Sequence, residues 1–139
     1  MWASRKPGAS TAAPAHTTKH RGDEAEEAAL EHLQRHGLRL VQRNFKTPGR
    51  GGGEVDLIMR EPDGTLVFVE VRQRASARHG GAGASITAFK QRRIVWAARH
   101  FLMRLGSEPP CRFDVVLIEG TQEGRVNPVW HRAAFDTSA

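Results

Sequence analysis

Residues 54–74 constrain the fold more than any other stretch of this chain. Glu54 to Arg60 alternates, with Val55, Leu57 and Met59 on one face and Glu54, Asp56 and Ile58 on the other, the period of a strand. Pro62-Asp63-Gly64 follows, a turn sequence in which proline presets one dihedral and glycine accepts a positive φ. Thr65 to Arg74 then alternates again: Val67, Val69 and Val71 share one face, while Leu66, Phe68, Glu70, Arg72 and Arg74 share the other. The segment reads as a β-hairpin. A lone hairpin is marginal in water, so the rest of the chain has to extend and cover it.

The flanking sequence supplies the means. From Gly22 to His36 the pattern is helical, with Ala25, Ala29 and Leu33 at i, i+4, i+8 and Gly37 placed as a C-terminal cap. Leu38 to Asn44 reads as a short strand, ending in the loop Thr47-Pro-Gly-Arg-Gly-Gly-Gly53. After the hairpin comes the glycine-rich loop His79 to Gly83, and Ser85 is an N-cap candidate for a helix running to about Leu105. Its inward stripe is Ile94, Ala97, Ala98, Phe101 and Leu105, with Lys90 one turn before Ile94. Past Pro109-Pro110, Arg112 to Glu119 is apolar enough for a central strand, a weaker strand lies near Val126 to Trp130, and the last residues are expected to fray. The order α-β-β-β-α-β-β predicts an α/β domain with a central mixed sheet flanked by helices.

With 139 residues there is room for one domain, expected over residues 21–139. Residues 1–20 are mostly Ala, Ser, Thr, Pro and Gly with scattered bases and, besides Met1, a single large apolar residue, Trp2; they read as a disordered basic tail. That tail has no apolar core of a secretory signal, and no apolar run in the chain approaches a membrane span. Cys111 is the only cysteine, so no disulfide framework or multi-cysteine zinc cage forms within the chain. The expectation is a cytoplasmic protein with no membrane partner and no organic cofactor.

The formal net charge is +6, unevenly spread. Residues 1–21 contribute +4, and residues 71–107 hold Arg72, Arg74, Arg78, Lys90, Arg92, Arg93, Arg99 and Arg104 without one Asp or Glu, leaving −6 for the remainder. A basic block beside an acidic remainder suits a polyanion surface next to a carboxylate-rich site; a solvated basic face with no partner is the bland alternative.

Three acids stand where apolar residues or solvent would be preferred. Asp56 lies two residues before Ile58, and Glu70 two after Phe68 on the adjacent strand, so antiparallel pairing can set the carboxylates side by side. Like charges so placed repel unless a cation separates them, and magnesium, bound through one or two carboxylates plus water, fits that need. Glu26, on the edge of the first helix's inward stripe, is placed to supply a third oxygen. The alternative is a sheet edge meeting water, with Arg72 or Arg74 as salt-bridge partners. Other motifs fall short. Gly49 to Gly53 lacks the Gly-Lys-Ser/Thr of a phosphate loop, and His32 with His36 has zinc spacing but no third ligand. Cys111 reads as an inert small hydrophobe, Asp114 as a buried partner for Arg112, and Trp96 and Trp130 as core or interface anchors.

Gly53-Glu-Val-Asp-Leu-Ile58, Val67-Phe-Val-Glu-Val-Arg-Gln-Arg74, Lys90 on a helix and Arg112-Phe-Asp-Val-Val116 together resemble the YraN-like family of small bacterial proteins, from about Gly22 to Phe135. That family in turn resembles the restriction-endonuclease-like fold of archaeal Holliday-junction resolvases, whose pattern is Glu on a helix, Asp on a strand, then Glu-x-Lys on the next strand. The resemblance implies Glu26, Asp56 and Glu70 as catalytic residues and ligands of Mg2+ or Mn2+, with Arg72 where the pattern has lysine. Arginine can offset charge on the phosphate but is a poor base. Lys90 is a candidate substitute; its alternative is a stem packed on the core with the ammonium in water. Arg74, Lys90, Arg92 and Arg93 are the candidate nucleic-acid contacts. The implied function is a metal-dependent endonuclease-like protein that binds and cleaves structured or branched DNA, for which symmetric pairs are a common form. A binding module that kept the fold without hydrolysis, or a scaffold meeting an acidic protein partner, are the other readings.

Overall fold

A computed structural model describes residues 18–74, 86–120 and 124–137, with side chains from residue 22 onward. Arg78, the loop at 79–83, Ser85 and residues 1–17 of the expected tail lie outside the described residues. The elements are α1 (Thr18–Arg35), β1 (Arg39–Lys46), β2 (Glu54–Arg60), β3 (Leu66–Arg74), α2 (Ala88–Leu105), β4 (Cys111–Gly120) and β5 (Val126–Phe135). This is the expected α-β-β-β-α-β-β order, in a single five-stranded sheet ordered β1-β2-β3-β4-β5. The pairs are antiparallel except β3 with β4, which run parallel because α2 carries the chain across between them.

Each helix covers one sheet face. Ala25, Ala29, Leu30 and Leu33 of α1 pack on Leu57, Met59, Val67, Val69, Val116 and Ile118. On the other face Ile94, Val95, Ala97, Ala98 and Phe101 of α2 pack on Ile58, Leu66, Phe68 and Phe113. The first helix closes as its glycine predicts: Gly37 takes φ 95°, and the Leu38 amide reaches back to the Leu33 carbonyl at 3.1 Å. The hairpin turn is also as expected, with Gly64 at φ 97°, its amide on the Glu61 carbonyl at 2.9 Å, and Asp63 Oδ1 accepting from the Thr65 amide.

Several details differ. Helix α1 starts at Thr18, so the boundary expected at residue 20 falls inside it; nothing in Thr18–Arg21 breaks a helix. The N-cap of α2 is Thr87, whose side chain accepts from the Lys90 amide at 3.1 Å. Leu105 is exposed rather than inward: it is the last residue of α2, which Gly106 closes in the left-handed region. Cys111 is exposed at the head of β4, not buried. Strand β5 does not fray after Trp130 but continues to Phe135, where Phe135 stacks on Phe113 with centroids 5.1 Å apart.

The loop between β1 and β2 is clamped to α2. Thr47 Oγ1 accepts from the Gly53 amide at 2.8 Å, and the Gly52 carbonyl accepts from Arg93 Nε at 2.9 Å. Gly53 has to be glycine: a Cβ there would sit 1.9 Å from the Arg93 carbonyl oxygen of the helix backbone. Arg93, expected at a nucleic-acid surface, is thus half-buried and holds this loop.

Candidate functional site

The site forms where β2 parts from β3. Their ladder ends at Leu57 opposite Val69. One residue further out, the Val71 amide donates to Asp56 Oδ2 at 2.8 Å, so a side-chain oxygen replaces the missing backbone acceptor. Val55 and Leu57 were expected on one face, but Val55 packs with the α2 cluster and Leu57 with the α1 cluster. Beyond Asp56, β2 follows β1, with Phe45 opposite Val55, and no longer follows β3.

That divergence leaves Asp56 against Glu70, the next residue on the α2-facing side of β3 after Phe68. The two carboxyls adjoin, and the charge of Asp56 acts directly on Glu70. Glu70 is buried, at 4% exposure, and burial followed by the charge of Asp56 pushes its pKa up to about 8. Burial also raises Asp56, against the opposing effect of the Val71 amide. Glu70 Oε1 is buried without a hydrogen-bond partner. Glu70 Oε2 faces Lys90 Nζ at 3.6 Å, across a gap longer than a hydrogen bond.

Lys90 therefore points at the acids and not simply into water: the first turn of α2 carries it there, with its side chain 32% exposed. Arg72, two residues beyond Glu70 on β3, is half-buried and its charge acts weakly on Glu70. Glu26 approaches from α1. Its pKa is raised by burial and then by the charge of Asp56, while a side-chain hydrogen bond from Asn44 opposes the shift. Glu26 Oε1 lies 3.8 Å from Arg43, which pairs more closely with Glu27 at 3.1 Å. Among the described residues no three Asp, Glu, His or Cys side chains converge as a ready cage. The tight group is the pair Asp56 and Glu70, with Glu26 set back from it.

A second buried acid has a different environment. Asp114, on β4, is wholly buried; Arg112 Nε donates to it at 3.0 and 3.2 Å, Trp130 Nε1 at 2.9 Å and the Ala133 amide at 2.9 Å. Arg112 also meets Glu61 at 2.6 Å. Asp114 is thus the partner for Arg112 that the sequence suggested, and it pins the irregular turn of β5 in which Ala133 takes φ 51°. Trp130 is the expected anchor, whereas Trp96 is half exposed on α2. His32 and His36 lie tilted against each other with centroids 4.5 Å apart and edge-on to Trp130 at 6.1 and 5.6 Å, and His36 is exposed.

The family model described as Uncharacterised protein family UPF0102 matches residues 25–118, a span that holds both acids of the pair, Glu26, Arg72 and Lys90. The chain belongs to this family. UPF0102 relatives are similar along nearly all of it: a protein of Polaromonas naphthalenivorans is 59% identical over 153 residues, covering 99% of this chain and 100% of the relative. One from Albidiferax ferrireducens is 67% identical over 120 residues, covering 86% and 90%. A solved structure, Pyrococcus furiosus SfsA in complex with Ca2+, is similar over 83% of this chain and 63% of its own, with TM-score 0.40 and 13% identity.

Three residues of this UPF0102 site escape a reading of the sequence. Asn44 sits in β1 at φ 51° and opposes the upward shift of Glu26; asparagine's tolerance of the left-handed region, next to Phe45, is the signal that was there. Arg43, which faces Glu26, and Glu54, whose charge raises Asp56, are set in place by pairing with Leu57 and Lys46, which long-range register decides. No helix among the described residues is long and apolar enough to cross a membrane.

Proposed function

We propose that the protein is a divalent-metal-dependent, endonuclease-like phosphodiesterase that acts on structured or branched DNA. The observation that carries this reading is Glu70: a buried carboxyl pressed against a second one, with one oxygen unpartnered, in a place the sheet has opened. The donor set fits Mg2+ or Mn2+, hard ions that take one or two carboxylates and complete their shell with water. Asp56 and Glu70 would hold the ion and Glu26 would orient its outer shell. Once bound, the ion supplies positive charge at the scissile phosphate.

The chain's own residues supply the rest. Lys90 keeps Glu70 oriented and places a second positive charge beside the acids, in the neighbourhood that the nuclease pattern gives to lysine on β3. Arg72 contributes charge toward the phosphate but does not act as a base. The restriction-endonuclease-like arrangement accounts for why these groups meet: the hairpin brings Asp56 to Glu70, and the crossover helix returns Lys90 to the same end of the sheet.

A binding module without hydrolysis is the second reading, and Arg72 in the lysine position is the observation that favours it. Cleavage of a panel of branched and single-stranded DNAs with Mg2+ or Mn2+ separates the two. The nuclease reading expects metal-dependent cleavage by the wild type, at least equal cleavage by Arg72→Lys, and none by Asp56→Ala. Binding without cleavage by both the wild type and Arg72→Lys would replace it with the binding module.

A further inference from the structure

Helix α2 presents an outer face that the carboxylate site does not use. Phe89, Trp96 and Met103 are spaced seven residues apart, so they line one stripe, and they are 64%, 50% and 72% exposed. Arg92 and Arg99 lie between them, both exposed, and α2 carries Lys90, Arg92, Arg93, Arg99 and Arg104 without an acid. Beside Trp96 is a hollow of about 210 Å³ lined by Arg92, Val95, Trp96, Arg99 and Thr137. Glu108 and Asp136 line the adjoining groove but not this hollow. The Trp96 ring is backed by His100, with centroids 4.7 Å apart, while the His100 Nδ1 lies 3.1 Å from the Trp96 carbonyl. The two rings are tilted by 56°, and Trp96 stays half exposed beside the hollow.

We infer that this face binds a single-stranded nucleic acid, with a base stacked on Trp96 and flanking phosphates on Arg92 and Arg99. An aromatic platform between cations matches both parts of such a strand, since every base has a π-face and every linkage a negative charge. Phe89 adjoins Lys90, so the stripe begins at the carboxylate end of the helix, and Trp96 lies about 10 Å further along the axis. The inference deepens the nuclease reading by naming the form of nucleic acid that leads away from the site, and to that extent rests on it. A second copy of the chain is a poorer occupant. Any two-fold pairing of α2 with itself sets arginines against arginines or His100 without a single acid between them.

Fluorescence anisotropy of labelled dT20 and of a blunt duplex of equal length, in chelator so that no cleavage intervenes, tests this. The wild type is expected to bind dT20 more tightly than the duplex. Trp96→Ala should weaken dT20 binding about 5- to 100-fold and leave the duplex unchanged, while Trp96→Phe keeps most of the affinity. Arg92→Ala with Arg99→Ala should weaken both ligands and flatten the salt dependence. Equal dT20 affinity in wild type and Trp96→Ala overturns the inference. So does a concentration-dependent dimer in sedimentation that Trp96→Ala abolishes, or displacement of dT20 by polyglutamate that depends on Trp96. Asp56→Ala separates the two proposals: Trp96-dependent binding that persists where no variant cleaves upholds this face and removes the nuclease, and metal-dependent cleavage without Trp96-dependent binding does the reverse.

Discussion

Asp114 and Glu70 are both buried acids on neighbouring strands, yet they are provisioned in opposite ways. Asp114 receives four hydrogen bonds from a guanidinium, an indole and a backbone amide. Glu70 has a carboxylate beside it, an ammonium 3.6 Å away and one oxygen with no partner. A carboxylate satisfied on all sides is structural, because removing it strands its donors. A carboxylate left short of partners carries a standing cost that a bound cation or a proton can relieve. The contrast separates an acid that holds the fold from one left short of partners.

The largest expected effect breaks the satisfied side. Asp114→Ala leaves Arg112, the Trp130 indole and the Ala133 amide without their acceptor, and should cost about 3–5 kcal/mol in urea unfolding. A loss under 1 kcal/mol would mean that water replaces the carboxylate freely. Next comes Gly53→Ala, which drives a methyl into the α2 backbone and should cost about 2–3 kcal/mol while loosening the helix that delivers Lys90. Asp114→Ala acts at a cluster that the carboxylate pair does not touch, so its effect should not depend on metal.

Glu70→Gln tests the other side and should have the opposite sign. The folded pKa of Glu70, about 8, lies above its ordinary value of 4.5, so the folded state holds the proton more tightly than the unfolded chain. Its stabilising contribution is complete below pH 4.5 and is lost as pH rises through about 8. Glu70→Gln removes that loss, and the metal-free variant should be more stable than wild type by about 1–3 kcal/mol above pH 8, by urea unfolding at pH 5.5 and 8.5. Equal pH dependence in the two proteins would place the proton elsewhere. The smallest effect is Lys90→Ala: removing the cation should move the Glu70 titration to still higher pH, read by carboxyl NMR.

How much of this is legible in the sequence follows from the range of each interaction. The hairpin acids are legible because strand alternation and a short turn fix Asp56 and Glu70 on neighbouring strands within a few residues of one another. Lys90 is legible in part, since its place ahead of Ile94 aims it toward one end of the sheet but does not say what it meets. The break of alternation at Asp56 is not legible, because it arises where β2 leaves β3 to follow β1. Nor is Gly53, one glycine among several in its loop, whose need for glycine comes from a helix forty residues away. Asp114 reads correctly as the partner of Arg112, but its bonds to Trp130 and Ala133 depend on the irregular β5, which extends past the point where the sequence pattern weakens.

Calorimetric titration of Mg2+ and Mn2+ into the wild type, Asp56→Ala and Glu70→Gln tests most directly whether the unsatisfied pair is a cation site. The pair predicts saturable binding by the wild type that tightens as pH rises toward 8, with proton release seen as a heat that varies between buffers, because the ion displaces the proton held by Glu70. Both variants should lose that binding while remaining folded. Wild type and Asp56→Ala titrating alike, with the same heat and the same pH dependence, would contradict it.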